Sequence, residues 1–276
     1  MPLVLGLPVG PAPVVLSRRL RGRLVVVTGA SRGIGRELAL RLAGVGARVV
    51  GVARSEDELA ALARRARALP GGFDWLGLDL RDLAAADLAA RRLVGRWGAP
   101  DVLVANAGHS IHRYLADYTD RFHDVSRTAG VNYTGAVAFA LPLLAGMTRS
   151  GRGHVVAVST TSACLPLPGW SAYTASKVAF DVWLRCVAPD LALAGVATTT
   201  VHLPRVATAM SAPTAGRWPV PELTVAQAAD VLGHALVTRP RHITPWWARA
   251  ADTARAAAPG LSHRLMQTLL AVGVRP

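Results

Sequence analysis

The chain holds a single lysine. Of its 31 Lys and Arg side chains 30 are arginines, and the exception is Lys177, which ends "SAYTASK" (171–177). Acidic residues are also scarce, 17 in all, so the formal net charge is +14. That charge raises the question of a nucleic-acid partner. The arginines are spread along the chain, however, and the densest groups, "SRRLRGR" (17–23) and "ARRARA" (63–68), have no interleaved aromatics, so no nucleic-acid interface is expected. Two cysteines, Cys164 and Cys186, make no disulfide framework and fit a reducing compartment. No stretch reaches the 18 continuous apolar residues of a membrane span. Prolines 2, 8, 11 and 13 interrupt the apolar start, and its apolar-then-basic order reverses that of a secretory signal. A cytoplasmic protein is expected, with residues 1–23 as an N-terminal extension, either loose or lying on a partner or membrane surface. His109, His112 and His123 lack the spacing and acidic partners of a metal site, so no metal is expected.

What is present is an alternation of strand and helix patterns. Short apolar runs at 24–29, 48–54, 73–80, 101–108, 153–159 and 196–203 read as buried strands. Helical spacing covers 33–47, 55–69, 83–97, 118–148, 171–192 and 224–238. This order predicts an α/β fold: a single domain with a Rossmann-type, doubly wound parallel sheet and helices on both faces. Right-handed crossovers bring the strand C-termini to one edge, where a ligand crevice forms. Prolines and glycines gather at 204–221, which reads as a loop over that edge. No internal repeat or linker breaks the central 24–245. The tail, 246–276, carries Trp246, Trp247 and two short amphipathic segments, either a helical cap or a greasy wall that touches substrate or a membrane surface.

Two motifs carry chemistry. "TGASRGIG" (28–35) follows the first strand and opens the first helix, and Gly29, Gly33 and Gly35 permit a tight turn with close backbone approach to a pyrophosphate. An acidic residue about 20 positions later would hold the ribose of NAD. This chain has Arg54 there, and Arg32 sits inside the turn, so NADPH/NADP+ is expected over NADH. In the second motif Tyr173 precedes Lys177 by four residues, which on a helix places their β-carbons roughly 5–6 Å apart. An ammonium beside a phenol lowers the phenol's pKa from about 10, fitting it for proton transfer near neutrality.

Thr-Gly-x-x-x-Gly-x-Gly (28–35), Asn-Ala-Gly (106–108) and Tyr-x-x-x-Lys (173–177) together resemble the short-chain dehydrogenase/reductase family over about residues 24–245. The resemblance implies that Ser31 and Ile34 line the glycine turn, that Asp79 and Leu80 frame the adenine, and that Asn106, Ala107 and Gly108 line the cofactor cleft. It implies further that Asn132 supports a proton relay and that Val206 and Thr208 lie at the nicotinamide. Two positions depart from the family pattern. The catalytic serine, 13 residues before the tyrosine, is Thr160 here, with Ser159 and Ser162 as alternatives. The Pro-Gly after the sixth strand is Pro204-Arg205.

"NAGHSIHR" (106–113), "DRFHD" (120–124) and "LPRVATAMSAPT" (203–214) are similar to bacterial fatty acyl-CoA reductases. This similarity implies NADPH-dependent reduction of a hydrophobic carbonyl substrate, with Tyr173, Lys177, Thr160 and Asn132 as the catalytic set. It also implies a homodimer or homotetramer built through the helices at 118–148 and 171–192. A ketoreductase of secondary metabolism fits the same residues, and the reading from another class is an NADP-binding regulatory or scaffold protein with a retired active site.

Overall fold

A computed structural model of the chain describes residues 5–214 and 222–271. Seven parallel strands form one sheet in the order β3-β2-β1-β4-β5-β6-β7. They are β1 (Leu24–Thr28), β2 (Arg48–Ala53), β3 (Phe73–Gly77), β4 (Val102–Ala105), β5 (Gly153–Thr160), β6 (Val196–Leu203) and β7 (His242–Ile243). The helices are α1 (Pro13–Leu20), α2 (Gly33–Gly44), α3 (Glu56–Ala66), α4 (Leu83–Trp97), α5 (Phe122–Ala129), α6 (Gly135–Arg149), α7 (Ser171–Leu193), α8 (Val225–Thr238), α9 (Trp246–Ala257) and α10 (Pro259–Ala271).

Successive residues of a strand face opposite sides of the sheet, and β1 divides accordingly. Val25 and Val27 join a core with α1, α2, α3 and α8, whereas Leu24 and Val26 join a second core with α4, α6 and α7. Both faces are therefore covered, as the continuous apolar strands require. The strand order reverses between β1 and β4, which opens a crevice at their C-terminal ends.

Five expectations change. The helix expected at 118–148 is not continuous: α5 ends at Ala129, a π-helical turn spans Gly130–Thr134, and α6 follows. Gly135, just after the turn, packs against the Leu80 carbonyl so closely that a β-carbon there would lie 1.8 Å from its oxygen. The strand expected at 73–80 ends at Gly77, leaving Asp79 and Leu80 beyond it, and the strand expected at 101–108 ends at Ala105. A seventh strand, β7, pairs with β6 through Thr200–His242 and Val201–Ile243, too short for any pattern to announce. The N-terminal extension packs rather than hanging loose, with Leu5, Leu7, Leu16 and Leu20 buried in the α8 side of the core. Of the loop expected at 204–221, residues 215–221 lie outside the described residues, as do 272–276 of the tail.

The stretch 122–149 is the one helical run among the described residues long and apolar enough to cross a membrane, and half of its most apolar window is buried within the fold. It is a core element, with Phe139, Leu143 and Met147 fully enclosed.

Candidate active site

The crevice is built around Thr28, the last residue of β1. Its hydroxyl accepts hydrogen bonds from the backbone N–H groups of Asn106 and Ala107, each at 3.0 Å. The Asn106 amide donates in turn to the Thr28 carbonyl at 2.9 Å. Asn106 therefore braces the glycine turn with its side chain, and the backbone of 106–108 forms the wall of the cleft.

Gly29 (φ 69°) and Gly33 (φ 53°) use the left-handed backbone region that only glycine enters cheaply. Gly35 has an ordinary φ, but a β-carbon on it would sit 2.3 Å from the Gly29 carbonyl oxygen and 2.7 Å from the Asn106 amide nitrogen. The turn is thus closed from beneath by Gly29 and Asn106, and its upper side opens to the N-terminus of α2, where Arg32 is the N-cap residue. Ser31 is buried and Ile34 half-buried in this turn. Such a cradle suits an anion.

At the far end of the crevice lies a charged cluster. Arg32 reaches the Ser55 hydroxyl at 3.4 Å and Glu58 at 3.6 Å, while Arg54 stands 4.0 Å from Asp79. Asp79 is held mainly by Arg81, whose hydrogen bonds keep the carboxyl below the usual carboxylate range. Arg81 escaped the sequence reading; its signal was its place two residues after Asp79. Leu80 is buried beside this cluster.

The expected catalytic residues are brought together where β5 meets α7. Thr160 ends β5 with its hydroxyl facing Tyr173, and that hydroxyl donates to Ser162 Oγ at 3.3 Å. Ser159, one residue earlier, faces a small cavity beside Lys177 instead, so the two hydroxyls are separated as strand alternation requires. Ser162 donates its backbone N–H to the Thr160 hydroxyl at 3.2 Å. Trp170 packs against both Tyr173, at a ring separation of 5.9 Å, and His112, at 4.9 Å, forming an aromatic wall.

Lys177 is buried, with its Nζ donating to the carbonyls of Val158 at 3.0 Å and Ala107 at 3.4 Å. Burial depresses its pKa to about 8. Tyr173 goes the other way: burial raises its pKa above the usual 10, and the neighbouring Thr160 hydroxyl only partly offsets this. The expectation that the ammonium lowers the phenol is overturned in this structure. Helical spacing fixes neighbouring β-carbons, but the lysine tip turns to the strand-end carbonyls. Gly108 leaves room there, since its missing β-carbon would lie 3.2 Å from that Nζ and 3.4 Å from Asn132 Oδ1.

Asn132 sits in the π-helical turn with both amide hydrogens used and one lone pair of Oδ1 still open. Its Oδ1 accepts from the His109 N–H at 2.7 Å, and its Nδ2 donates to the His109 carbonyl and the Ser176 hydroxyl, each at 2.9 Å. Ser176 also escaped the sequence reading, although it adjoins Lys177. Burial, together with Arg127, Arg54 and Arg81, holds the His109 imidazole below its usual pKa. On the opposite lip Val206 is buried and pairs with Leu223, while the Thr208 methyl lies over Gly33, 3.4 Å from where a β-carbon would be.

The family described as short chain dehydrogenase matches residues 23–217. A fatty acyl-CoA reductase of Acinetobacter baylyi is 35% identical over 247 residues, which are 90% of this chain and 84% of that protein. A fatty acyl-CoA reductase of Mycobacterium tuberculosis is 38% identical over 251 residues, covering 90% of this chain and 85% of its own. Among solved structures, a metagenomic short-chain oxidoreductase in complex with NADP superposes with a TM-score of 0.71 at 27% identity, over 82% of this chain and 97% of that one.

Proposed function

Because the chain belongs to the short-chain dehydrogenase family, we propose that it is an NADPH-dependent reductase of a hydrophobic carbonyl compound, a long-chain acyl thioester or aldehyde. The observation that carries this reading is the Tyr173–Thr160 hydroxyl pair, one helical turn from the buried Lys177 and on the same sheet edge as the glycine turn.

The residues present fit the cofactor. The cradle of Gly29, Ser31, Gly33, Ile34 and Gly35 would take the pyrophosphate at the α2 N-terminus. Arg32 and Arg54, with Arg81 beside them, set three guanidiniums against Glu58 and Asp79, which favours a 2′-phosphate over a bare ribose. Asp79 and Leu80 would flank the adenine, and Asn106, Ala107, Gly108, Val206 and Thr208 the nicotinamide half. When bound, NADPH supplies the hydride for the carbonyl carbon.

The chain's own residues manage the proton. Tyr173 donates its phenolic proton to the carbonyl oxygen, which the Thr160 hydroxyl holds in place. Lys177, its Nζ held at the cleft wall by the Val158 and Ala107 carbonyls, would bind the nicotinamide ribose, and Asn132, held by His109 and Ser176, would orient the water that returns the proton. The two fatty acyl-CoA reductase relatives support the acyl thioester, and the apolar setting supports a long chain. His112 and Trp170 wall the cleft, and α9 rests on the turn after β5 through Arg255, whose Nε donates to the Cys164 carbonyl at 3.4 Å.

NADPH consumption against long-chain acyl-CoAs, long-chain aldehydes and compact ketones tests this. Turnover should rise with chain length and fall by roughly 10²–10⁴-fold in Tyr173→Phe. Thr160→Ala should lose more than Ser159→Ala. Turnover confined to compact ketones would instead indicate a ketoreductase, and NADPH binding without turnover a regulatory protein.

A further inference from the structure

Arg205 lies two residues past the end of β6, and its guanidinium is spread over the lip of the cleft. One nitrogen, Nη1, donates to the Thr214 carbonyl at 2.7 Å and lies 3.4 Å from Glu222 Oε1. The other, Nη2, donates to the Ser211 carbonyl at 2.8 Å. The backbone closes the same segment at its neck, where Leu223 N–H donates to Arg205 O and Ala207 N–H to Leu223 O, both at 2.9 Å. Arg205 thus ties Ser211, Thr214 and Glu222 to the strand end.

Ser211 passes this restraint on. Its hydroxyl donates to the Val206 carbonyl at 2.6 Å and accepts from the Thr208 N–H at 3.1 Å. Thr208 in turn is the residue over Gly33. We propose that Arg205 is a positioning residue for the cofactor: through Ser211 it presets Thr208 over the glycine turn, so that the lip is already in its binding arrangement before NADPH arrives. The planar fork is what allows one side chain to reach two carbonyls and a carboxylate at once; an ammonium on a flexible stem offers no such fixed geometry.

This rests on the cofactor reading above and predicts a split in kinetic constants. A lip that samples other arrangements binds with an affinity reduced by the competent fraction, while saturating cofactor restores the bound form. NADPH titration by fluorescence, with steady-state assays, should give Arg205→Ala a Kd about tenfold higher than the parent, with kcat at saturating NADPH within about twofold. Ser211→Ala should weaken binding similarly, and the double variant should add little, because both act along one path. Arg205→Gln, which keeps the stem, serves the same test should the alanine variant fold poorly. A lowered melting temperature with unchanged Kd would show a merely structural role and overturn the proposal. Additive losses would overturn the path through Ser211. A parent protein that does not bind NADPH would defeat both this proposal and the reading beneath it.

Discussion

At the scale of single residues, the site is governed by the burial of one charge. An ammonium with a pKa held near 8 is costly to keep protonated in the folded chain. Below pH 8 the folded and unfolded chains both carry the proton, and the folded state bears the full cost of burying it. Between pH 8 and about 10.4 the folded lysine is neutral while the unfolded one is still charged, so stability rises with pH through that window. Lys177→Met should therefore abolish turnover yet stabilise the protein by about 1–2 kcal/mol at pH 7, with the gap narrowing by pH 9. Thermal melts of both proteins at the two pH values check this; a destabilised Met variant would contradict it. Sequence spacing put Tyr173 and Lys177 on one helix face, and the family resemblance added Thr160 and Asn132 as candidates, because motifs record which residues share an edge. It could not reveal the direction of the tyrosine's shift, which depends on where a flexible side chain points.

At the scale of elements, the strands were legible because buried parallel strands are continuous apolar runs, and α2, α3, α4, α7 and α8 because their periodicity is helical. The π-helical turn at Gly130–Thr134 was not, since one extra residue in a turn leaves the apolar pattern almost intact, and β7 is only two residues long. The glycine turn was visible as a motif, but its support was not: Gly35 packs on Gly29 and on the Asn106 amide from a distant part of the chain. Gly35→Ala forces one of those two to move. It should raise the Kd for NADPH by about tenfold or more at a cost of about 1–3 kcal/mol in stability. Paired titration and denaturant unfolding measure both, and unchanged binding would mean that the turn tolerates the methyl group.

At the scale of the whole molecule, the helices expected to join subunits carry exposed apolar side chains: Leu141 (52%), Val182 (41%) and Leu193 (91%). We propose a homodimer or homotetramer formed through α5, α6 and α7. Light scattering should then report a mass two or four times 28.9 kDa, and Leu141→Arg combined with Val182→Arg should reduce it to the single-chain value. A single-chain mass for the parent would end that reading. The solitary buried lysine has a further consequence, for chemical labelling. Arginine guanidiniums do not react with amine-directed acylating reagents, so the exterior offers such reagents no lysine. The only ε-amine lies in the cleft wall beside Gly108, with a pKa that leaves a substantial share unprotonated near pH 8. Acylation of that amine would report the occupancy of the cleft from a single position in a peptide map.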